Sequence, residues 1–198
     1  MINIIDEIDR YQTDSEQEAV DKIAFLDFLL HHPDAYNRTN RLGHVTSSAI
    51  VVNQTMDQVL FVYHNIYRSW SWVGGHNDGN EDCLAVAIKE TMEETGVTHV
   101  TPWSEHIFML DVIYVMNHHK HHSYVGDHLH FNLTYLLIAD EHDPLHIRES
   151  ENSGVSWFPL DSINDHVSEP RMKPIYQKAI DRIKRIRESK VVFKTIIQ

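Results

Sequence analysis

A helix with an acidic side, set among strand-forming segments, is the feature that most limits what this chain can fold into. Residues 81–95 are predicted to form this helix, and Gly96 ends it because glycine tolerates the positive φ of a C′ position. Strand-forming segments stand before and after it, without regular βαβ repetition. This order predicts an α/β (α+β) sandwich with a mixed sheet rather than a doubly wound parallel sheet.

The strand and helix patterns divide the chain into a short first part and a long second part. A helix is predicted from the N-cap Ser15 to His31, so residues 1–40 form an N-terminal helical extension. Residues 41–198 form the main domain. Its predicted strands are VTSSAIVV and VLFVYH, which pair as a hairpin, then HIFMLDVIYVM, HLHFNLTYLLIA and VSWFPL, before a basic amphipathic helix near residues 173–187.

Three carboxylates share one side of the acidic helix. At 100° per residue, Glu90, Glu93 and Glu94 fall within an arc of about 100°. The predicted apolar stripe lies on the opposite side and consists of Leu84, Ala85, Ile88 and Met92. We therefore expect the stripe to pack on the sheet and the carboxylates to point outward. Carboxylates at this spacing repel one another, and oxygen ligands of this kind suit a magnesium ion.

The glycines and glutamates of this region also have a fixed spacing. The residues that define it are Gly75, Glu81, Glu90, Glu93, Glu94 and Gly96. At roughly 7% usage for each type, six such matches arise by chance about 10⁻⁷ times per window, so an ordinary solvated face does not explain them. The pattern resembles the Nudix box, G-x5-E-x7-R-E-U-x-E-E-x-G-U, in which U is a bulky aliphatic residue. Lys89 replaces its Arg, and Thr91 replaces its first U.

The resemblance to the Nudix family implies a fold, an activity and a set of ligands. The implied fold is an α/β/α sandwich, and the implied reaction is hydrolysis of a nucleoside diphosphate linked to another moiety. Carried over by position, Glu90, Glu93 and Glu94 would bind Mg²⁺, or Mn²⁺ as a substitute, with the Gly75 carbonyl as a further ligand. Glu93 and Glu94 would also serve the catalytic step, and Glu81 would have a supporting role near the start of the helix.

A general base and a substrate pocket are expected outside the box. In the family that the box resembles, a loop carboxylate often acts as the base, and Glu151 is the first candidate here, with Glu149 second; an acidic surface loop is the alternative. For the substrate, Trp70 is the candidate for stacking on a nucleobase and Arg68 for holding a phosphate. His76 follows the glycines and either contacts substrate or is a turn residue.

Histidine is unusually frequent, with 16 residues. His118, His119, His121 and His122 surround Lys120 in a predicted loop. Imidazoles at this density can bind zinc or nickel, but no cysteine or carboxylate stands among them, and a solvated loop that borders the active site is favoured. His128 and His130 alternate with apolar residues, which indicates a strand with one polar face.

Composition limits the partners and the compartment. The net charge of −12 argues against binding to nucleic acid or to an anionic membrane. A single cysteine excludes an internal disulfide, and neither a secretion signal nor a bilayer-spanning stretch is present, so we expect a cytoplasmic protein. The expected partner is a small nucleoside diphosphate derivative, and a homodimer is left open.

Two other functions are weighed against hydrolysis. An isopentenyl-diphosphate isomerase-like enzyme would need a catalytic cysteine, and the single cysteine, Cys83, lies in the predicted helix. A nucleotide sensor without catalysis would be expected to lack metal ligands or to carry a DNA-binding domain. All three helix glutamates are present, so both alternatives rank below the hydrolase.

Overall fold

The computed structural model describes residues 3–120 and 123–196. The helices of this part of the chain are α1 (Ile4–Arg10), α2 (Glu16–His31), α3 (Cys83–Thr95), α4 (Ile163–His166) and α5 (Met172–Ile196). The strands are β1 (Gly43–Val52), β2 (Gln58–His64), β3 (Ser69–Ser71), β4 (Val73–His76), β5 (Val100–Pro102), β6 (Met109–Val115), β7 (His118–Lys120), β8 (Ser123–Val125), β9 (His128–Ala139) and β10 (Asn152–Pro159). A short 3₁₀ helix, Leu160–Ser162, precedes α4.

Eight of these strands form one hydrogen-bonded sheet in the order β10-β2-β1-β9-β5, to which β3 adds beside β2, β4 beside β1 and β6 beside β9. The predicted α/β fold class, with helices and a mixed sheet, is confirmed. The hairpin of β1 and β2 is also confirmed, with Val51 opposite Leu60. Its turn is closed by Asn53, whose side-chain oxygen accepts from the amide of Asp57 at 3.0 Å.

The chain divides into two compact units. The first contains Met1–Ala49, Gly74–Glu90 and Ser104–Tyr135. In it α1 is capped by Asn3 and α2 by Ser15, whose hydroxyl accepts from the amide of Glu18 at 3.3 Å. The helix predicted from Ser15 to His31 is therefore confirmed, and α1 is an element that the sequence patterns did not indicate. The boundary at residue 40 stays a prediction.

In the first unit, carboxylates of α1 and α2 accept hydrogen bonds from the backbone at β6. The carboxylates belong to Glu7, Glu18 and Asp21, and the amides to Ile107, Leu110 and Val112, at 2.8, 3.4 and 2.8 Å respectively. The other edge of β6 pairs with β9. Polar groups of an edge strand are thus satisfied by side chains instead of by another strand.

The second unit contains Ile50–Val73, Thr91–Trp103 and Leu136–Gln198. Its strands β10 and β2 are antiparallel, with Trp157 opposite Leu60. Helix α5 contributes Tyr176, which is almost fully buried and meets Phe61 edge to face at a centroid distance of 5.0 Å. Large aromatic surfaces of this kind supply much of the apolar area that a small unit buries.

The histidine-rich segment does not form the loop that was predicted. His118 and His119 belong to β7, which pairs with β8 as an antiparallel hairpin in which His119 stands opposite Tyr124. Extended backbone is favoured here because side chains on alternating faces keep neighbouring imidazoles apart. His121 and His122 lie outside the described residues. Among the helices that the structure describes, none has both the length and the hydropathy to cross a bilayer.

Candidate metal and catalytic site

Helix α3 has well-defined ends. It begins two residues later than predicted, after Asp82, whose carboxylate accepts from the amide of Ala85 at 3.0 Å and so caps the first turn. It ends at Gly96, whose φ is 79° and whose amide donates to the carbonyl of Met92 at 3.0 Å. The predicted glycine C-cap is confirmed. Glu81 lies before the helix and is exposed.

The face that α3 buries is the opposite of the one predicted. The residues predicted as the apolar stripe are half-buried or exposed, and Met92 is 39% exposed. The buried residues are instead Cys83, Val86, Ala87, Thr91, Glu94 and Thr95. Small side chains alternate with carboxylates along this side, and because Cys83, Val86 and Ala87 are compact, the helix packs here despite the charge.

Two of the three glutamates consequently point inward. Glu94 is only 4% exposed, and the side chain of Glu90 is 13% exposed. The expectation that the carboxylates point outward is therefore wrong for both. An ionised carboxylate that is withdrawn from water needs a compensating charge, because its hydration energy is lost on burial.

The enclosed carboxylates converge. One carboxylate oxygen of Glu90 lies within 4.8 Å of one of Glu94, which stands one turn later on the same helix. The carboxylate of Glu94 in turn has an oxygen within 4.8 Å of one of Glu151, and both residues belong to the second unit. Glu151, which the sequence suggested as the general base, is thus brought to the helix carboxylates.

Gly75 leaves room for the Glu90 carboxyl group. A Cβ atom at this position would lie 2.8 Å from the carboxyl carbon of Glu90, closer than side chains tolerate. The lack of a side chain therefore lets the backbone of β4 approach this carboxylate directly. Lys89 lies beside it, with its ammonium nitrogen 3.2 Å from Glu90 Oε1.

Glu93 has a different partner. Its side chain is 38% exposed, and Arg148 Nη1 lies 2.9 Å from its Oε2. The same guanidinium nitrogen lies 3.3 Å from Oε2 of Glu151. Next to this pair of contacts, the side chain of Asn152 donates to the backbone carbonyl of Glu94 at 2.9 Å. Arg148 therefore positions two of the predicted catalytic carboxylates.

The arrangement suits a divalent cation bound through oxygen. In the second unit, Glu94 and Glu151 have carboxylate oxygens within 4.8 Å of each other, and in the first unit the Gly75 backbone borders the Glu90 carboxyl group. Mg²⁺ and Mn²⁺ prefer such hard ligands and keep part of their shell for water or phosphate oxygens. A bound cation would add positive charge beside these carboxylates, in addition to the Lys89 ammonium next to Glu90.

The two other substrate candidates of the second unit lie in separate surroundings. Arg68 is exposed in the turn between β2 and β3, where φ is 49°. Trp70 packs edge to face on Tyr63 and Phe158, with ring centroids 5.6 and 4.7 Å away. The turn is tied to the general-base segment, because the amide of Asn65 donates to the carbonyl of Glu151 at 3.0 Å.

His76 belongs to a group of four imidazoles in the first unit. Its ring centroid lies 4.8 Å from that of His44 and 5.1 Å from that of His130, and His128 adjoins the group. Burial lowers the pKa of His44 and lowers that of His130 strongly, so these rings are neutral at physiological pH. The explanation of His76 as a simple turn residue is wrong, since it lies in β4 and contacts other histidines.

The sequence patterns did not identify Arg148 and His44 as site residues. Arg148 stands between acidic residues in the segment RESE, which is a weak indication of an ion-pair network. His44 begins a strand of the main domain, and nothing in its local sequence separates it from the other histidines. Both become recognisable only through contacts with residues that are distant along the chain.

Comparison with known proteins assigns the chain to a family. Residues 43–180 match the family described as the NUDIX domain, which is more than half of the chain. The chain belongs to the Nudix family. It is a Nudix hydrolase, an enzyme that acts on pyrophosphate bonds. No curated protein sequence matches it.

Solved Nudix structures share its fold. C. elegans Ap4A hydrolase in a binary complex has a TM-score of 0.52 at 15% identity, covering 71% of this chain and 97% of that one. A NUDIX family hydrolase from Clostridium perfringens also has 0.52, at 19% identity, with coverages of 73% and 99%. The E. coli dihydroneopterin triphosphate pyrophosphohydrolase has 0.52 at 12% identity, with coverages of 70% and 95%.

The departures from the Nudix box are accommodated by the structure. Thr91, which replaces an aliphatic residue, is fully buried and its carbonyl accepts from the Thr95 hydroxyl at 2.6 Å. It therefore lies on the buried face of α3. Where the box has an arginine, this Nudix protein has Lys89, and Arg148 from a distant segment supplies a guanidinium to Glu93.

Cys83 does not have the surroundings of a nucleophile. It is 2% exposed, and its sulfur accepts from the Asn77 side chain at 3.3 Å. Burial raises the pKa of the thiol to about 11, so the thiolate is scarce at neutral pH. These observations argue against the isomerase-like alternative, which requires a reactive cysteine.

Proposed function

We propose that this protein is a magnesium-dependent hydrolase that cleaves the diphosphate bond of a nucleoside diphosphate linked to another moiety. The observation that carries the proposal is the position of Glu94 on the buried face of α3, where one of its carboxylate oxygens lies within 4.8 Å of one of Glu151. Mn²⁺ is expected to substitute for Mg²⁺, because it favours the same oxygen ligands.

The metal ligands are proposed to be Glu90 and Glu94, with the Gly75 carbonyl and Glu93 as further ligands. When bound, the cation neutralises charge on the phosphoryl oxygens and lowers the pKa of the attacking water. The Gly75 position supports the ligand assignment because backbone closely borders Glu90. Glu93 is assigned by its position in the box, and Arg148 Nη1, 2.9 Å from its Oε2, fixes the direction of its carboxylate.

Glu151 is proposed as the general base. A water oxygen forms a bond to one phosphorus while the bond from that phosphorus to the bridging oxygen breaks, and the water proton passes to the Glu151 carboxylate. The second phosphate leaves with the bridging oxygen. Arg148 Nη1 lies 3.3 Å from Glu151 Oε2 and so orients the carboxylate that accepts the proton.

Substrate contacts are proposed at Arg68, Trp70 and His76. The exposed guanidinium of Arg68 could reach a phosphate, and the half-buried Trp70 offers ring surface for a base. The hydrogen bond between Asn65 and the Glu151 carbonyl supports Arg68, since it ties the Arg68 turn to the proposed base.

The test is a substrate screen with purified full-length protein. ADP-ribose, Ap4A, nucleotide sugars and dihydroneopterin triphosphate are incubated with Mg²⁺ and, in parallel, with excess EDTA. We expect at least one compound to be cleaved to two phosphate-bearing products with Mg²⁺ and none with EDTA. Tight nucleotide binding without any cleavage would overturn the proposal and favour a sensor.

A further inference from the structure

Four histidines of the first unit form a compact group that the proposed hydrolysis does not use as a whole. His44 lies on β1, His76 on β4, and His128 and His130 on β9. The ring of His44 is central, with its centroid 4.8 Å from that of His76, 5.0 Å from that of His128 and 4.9 Å from that of His130. We call these four residues the histidine cluster.

His44 has an unsatisfied nitrogen inside the cluster. The residue is 4% exposed, and its Nδ1 lies 3.3 Å from the carbonyl oxygen of Asn40. That contact makes Nδ1 the protonated nitrogen, so Nε2 carries a lone pair. Within the part of the chain that the structure describes, Nε2 is buried and has no hydrogen-bond partner. Buried polar atoms without partners are rare and costly, which points to a missing ligand.

His128 repeats this pattern. Its Nδ1 lies 2.8 Å from the carbonyl oxygen of Gly126, and its Nε2 lies 3.2 Å from Nε2 of His130. Histidines that bind metals usually donate their second ring N–H to a carbonyl or carboxylate, which fixes the tautomer and the ring orientation. Backbone carbonyls thus fix the tautomers of His44 and His128. The Nε2 of His128 then accepts from the Nε2–H of His130, whereas the Nε2 lone pair of His44 remains available.

We propose that His44, His76 and His130 bind a zinc-type transition-metal ion at a site separate from the carboxylates of α3. Each offers a ring nitrogen, and the three nitrogens lie within 4.8 Å of one another. A tetrahedral zinc ion with bonds of about 2.0 to 2.1 Å holds its nitrogen ligands about 3.3 Å apart, so small side-chain rotations close the site. Three protein ligands leave a fourth position for water.

The type of ligand atom determines which metal ions the site favours. Imidazole nitrogen favours zinc, copper or nickel, whereas magnesium requires oxygen. The nearby carboxylate of Asp78 is already engaged by Arg38, whose Nε lies 2.6 Å from Asp78 Oδ1. The two sites therefore differ in ligand type, so an excess of Mg²⁺ does not compete for the histidine cluster.

The histidines of the β7–β8 hairpin provide the control. His119 is exposed, and its ring meets that of Tyr124 edge to face at a centroid distance of 5.5 Å.

The test is a titration of the full-length, metal-stripped protein with Zn²⁺ in excess Mg²⁺, followed by competition with a chromophoric chelator. Co²⁺ serves as the spectroscopic probe of tetrahedral coordination. We expect one equivalent to bind. His44→Asn should weaken binding by at least about 100-fold, because asparagine keeps a donor for the Asn40 carbonyl but removes Nε2. His130→Asn should have the same effect.

Two controls separate other sources of binding. Replacement of His118, His119, His121 and His122 by Asn removes the imidazoles of the histidine-rich segment, and Glu94→Gln alters the carboxylate site. Both variants should keep the zinc affinity within about threefold. Loss of binding in either control, with retention in His44→Asn and His130→Asn, would overturn the proposal. So would the absence of stoichiometric binding to the unaltered protein.

A measurement on the unaltered protein tests the proposal even where a variant fails to fold. Histidine ring resonances in ¹H–¹⁵N spectra are recorded before and after one equivalent of Zn²⁺. Shifts confined to the imidazoles of His44, His76 and His130 support the proposal. Shifts confined to exposed imidazoles contradict it, and neither result depends on hydrolysis.

Discussion

Among single residues, Glu94 matters most for the proposed catalytic site. Its carboxylate is 4% exposed and lies on the buried side of α3, close to Glu151. The spacing of the glutamates could be predicted from the sequence, because it is local. The side of the helix that is buried could not be predicted, since Leu84, Ile88 and Met92 have larger apolar side chains than the residues that actually pack. Packing against distant strands decided the outcome.

Arg148 is expected to act as a positioning residue. Because it contacts both Glu93 and Glu151, Arg148→Ala should lower kcat by about 10- to 100-fold, as loss of groups that orient metal ligands commonly does. Steady-state kinetics on a substrate from the screen would measure this, with the exposed Arg10→Ala as control. Recovery of part of the rate in Arg148→Lys supports a charge role, and an unchanged kcat in Arg148→Ala would count against it.

Cys83 is expected to be unreactive in the folded protein. Its thiol is buried and its pKa is raised to about 11, so the thiolate fraction at pH 7.5 is very small and grows only as the pH rises toward 11. Labelling with a thiol-specific chromogenic reagent should be slow at pH 7.5 and become fast in denaturing urea. Rapid labelling of the native protein would reopen the isomerase-like alternative.

At the scale of elements, the N-terminal helices provide polar contacts for β6 as well as apolar packing. Phe28 of α2 stacks on Phe131 of β9 at a centroid distance of 3.9 Å. Glu18 of α2 is fully buried and accepts from the Tyr11 hydroxyl at 3.2 Å and from the Leu110 amide at 3.4 Å. The helices are thus anchored within the first unit by a carboxylate that the periodicity of α2 could not identify.

Glu18→Ala should therefore destabilise the protein by about 2 to 3 kcal/mol, because the buried amide and hydroxyl that it satisfies lose their acceptor. Denaturant unfolding followed by circular dichroism would measure the free energy of unfolding. Glu16→Ala on the exposed side of α2 is the matched control and should change it by less than about 0.5 kcal/mol. Equal effects of the two substitutions would show that the buried acceptor is unimportant.

At the scale of the whole molecule, the sequence predicted most of the architecture and only part of the site. The strand predicted as HLHFNLTYLLIA is β9, His128–Ala139, because β-branched and aromatic runs form strands through local preferences. The histidine cluster could not be foreseen, since His44, His76 and His130 come from three separate strands. Pairing between strands that are distant in sequence brings these histidines together, and no local sequence pattern indicates this.

The most direct test is the initial rate of diphosphate hydrolysis as a function of Mg²⁺ concentration, for the unaltered protein and for Glu94→Gln. We predict a rate that rises with Mg²⁺, saturates and vanishes with EDTA. We also predict a fall of at least about 100-fold in Glu94→Gln with the circular dichroism spectrum preserved. The control Glu105→Gln, at an exposed residue, should keep the full rate. Hydrolysis that persists without metal, or at full rate in Glu94→Gln, would contradict the assignment of this helix as the catalytic metal site.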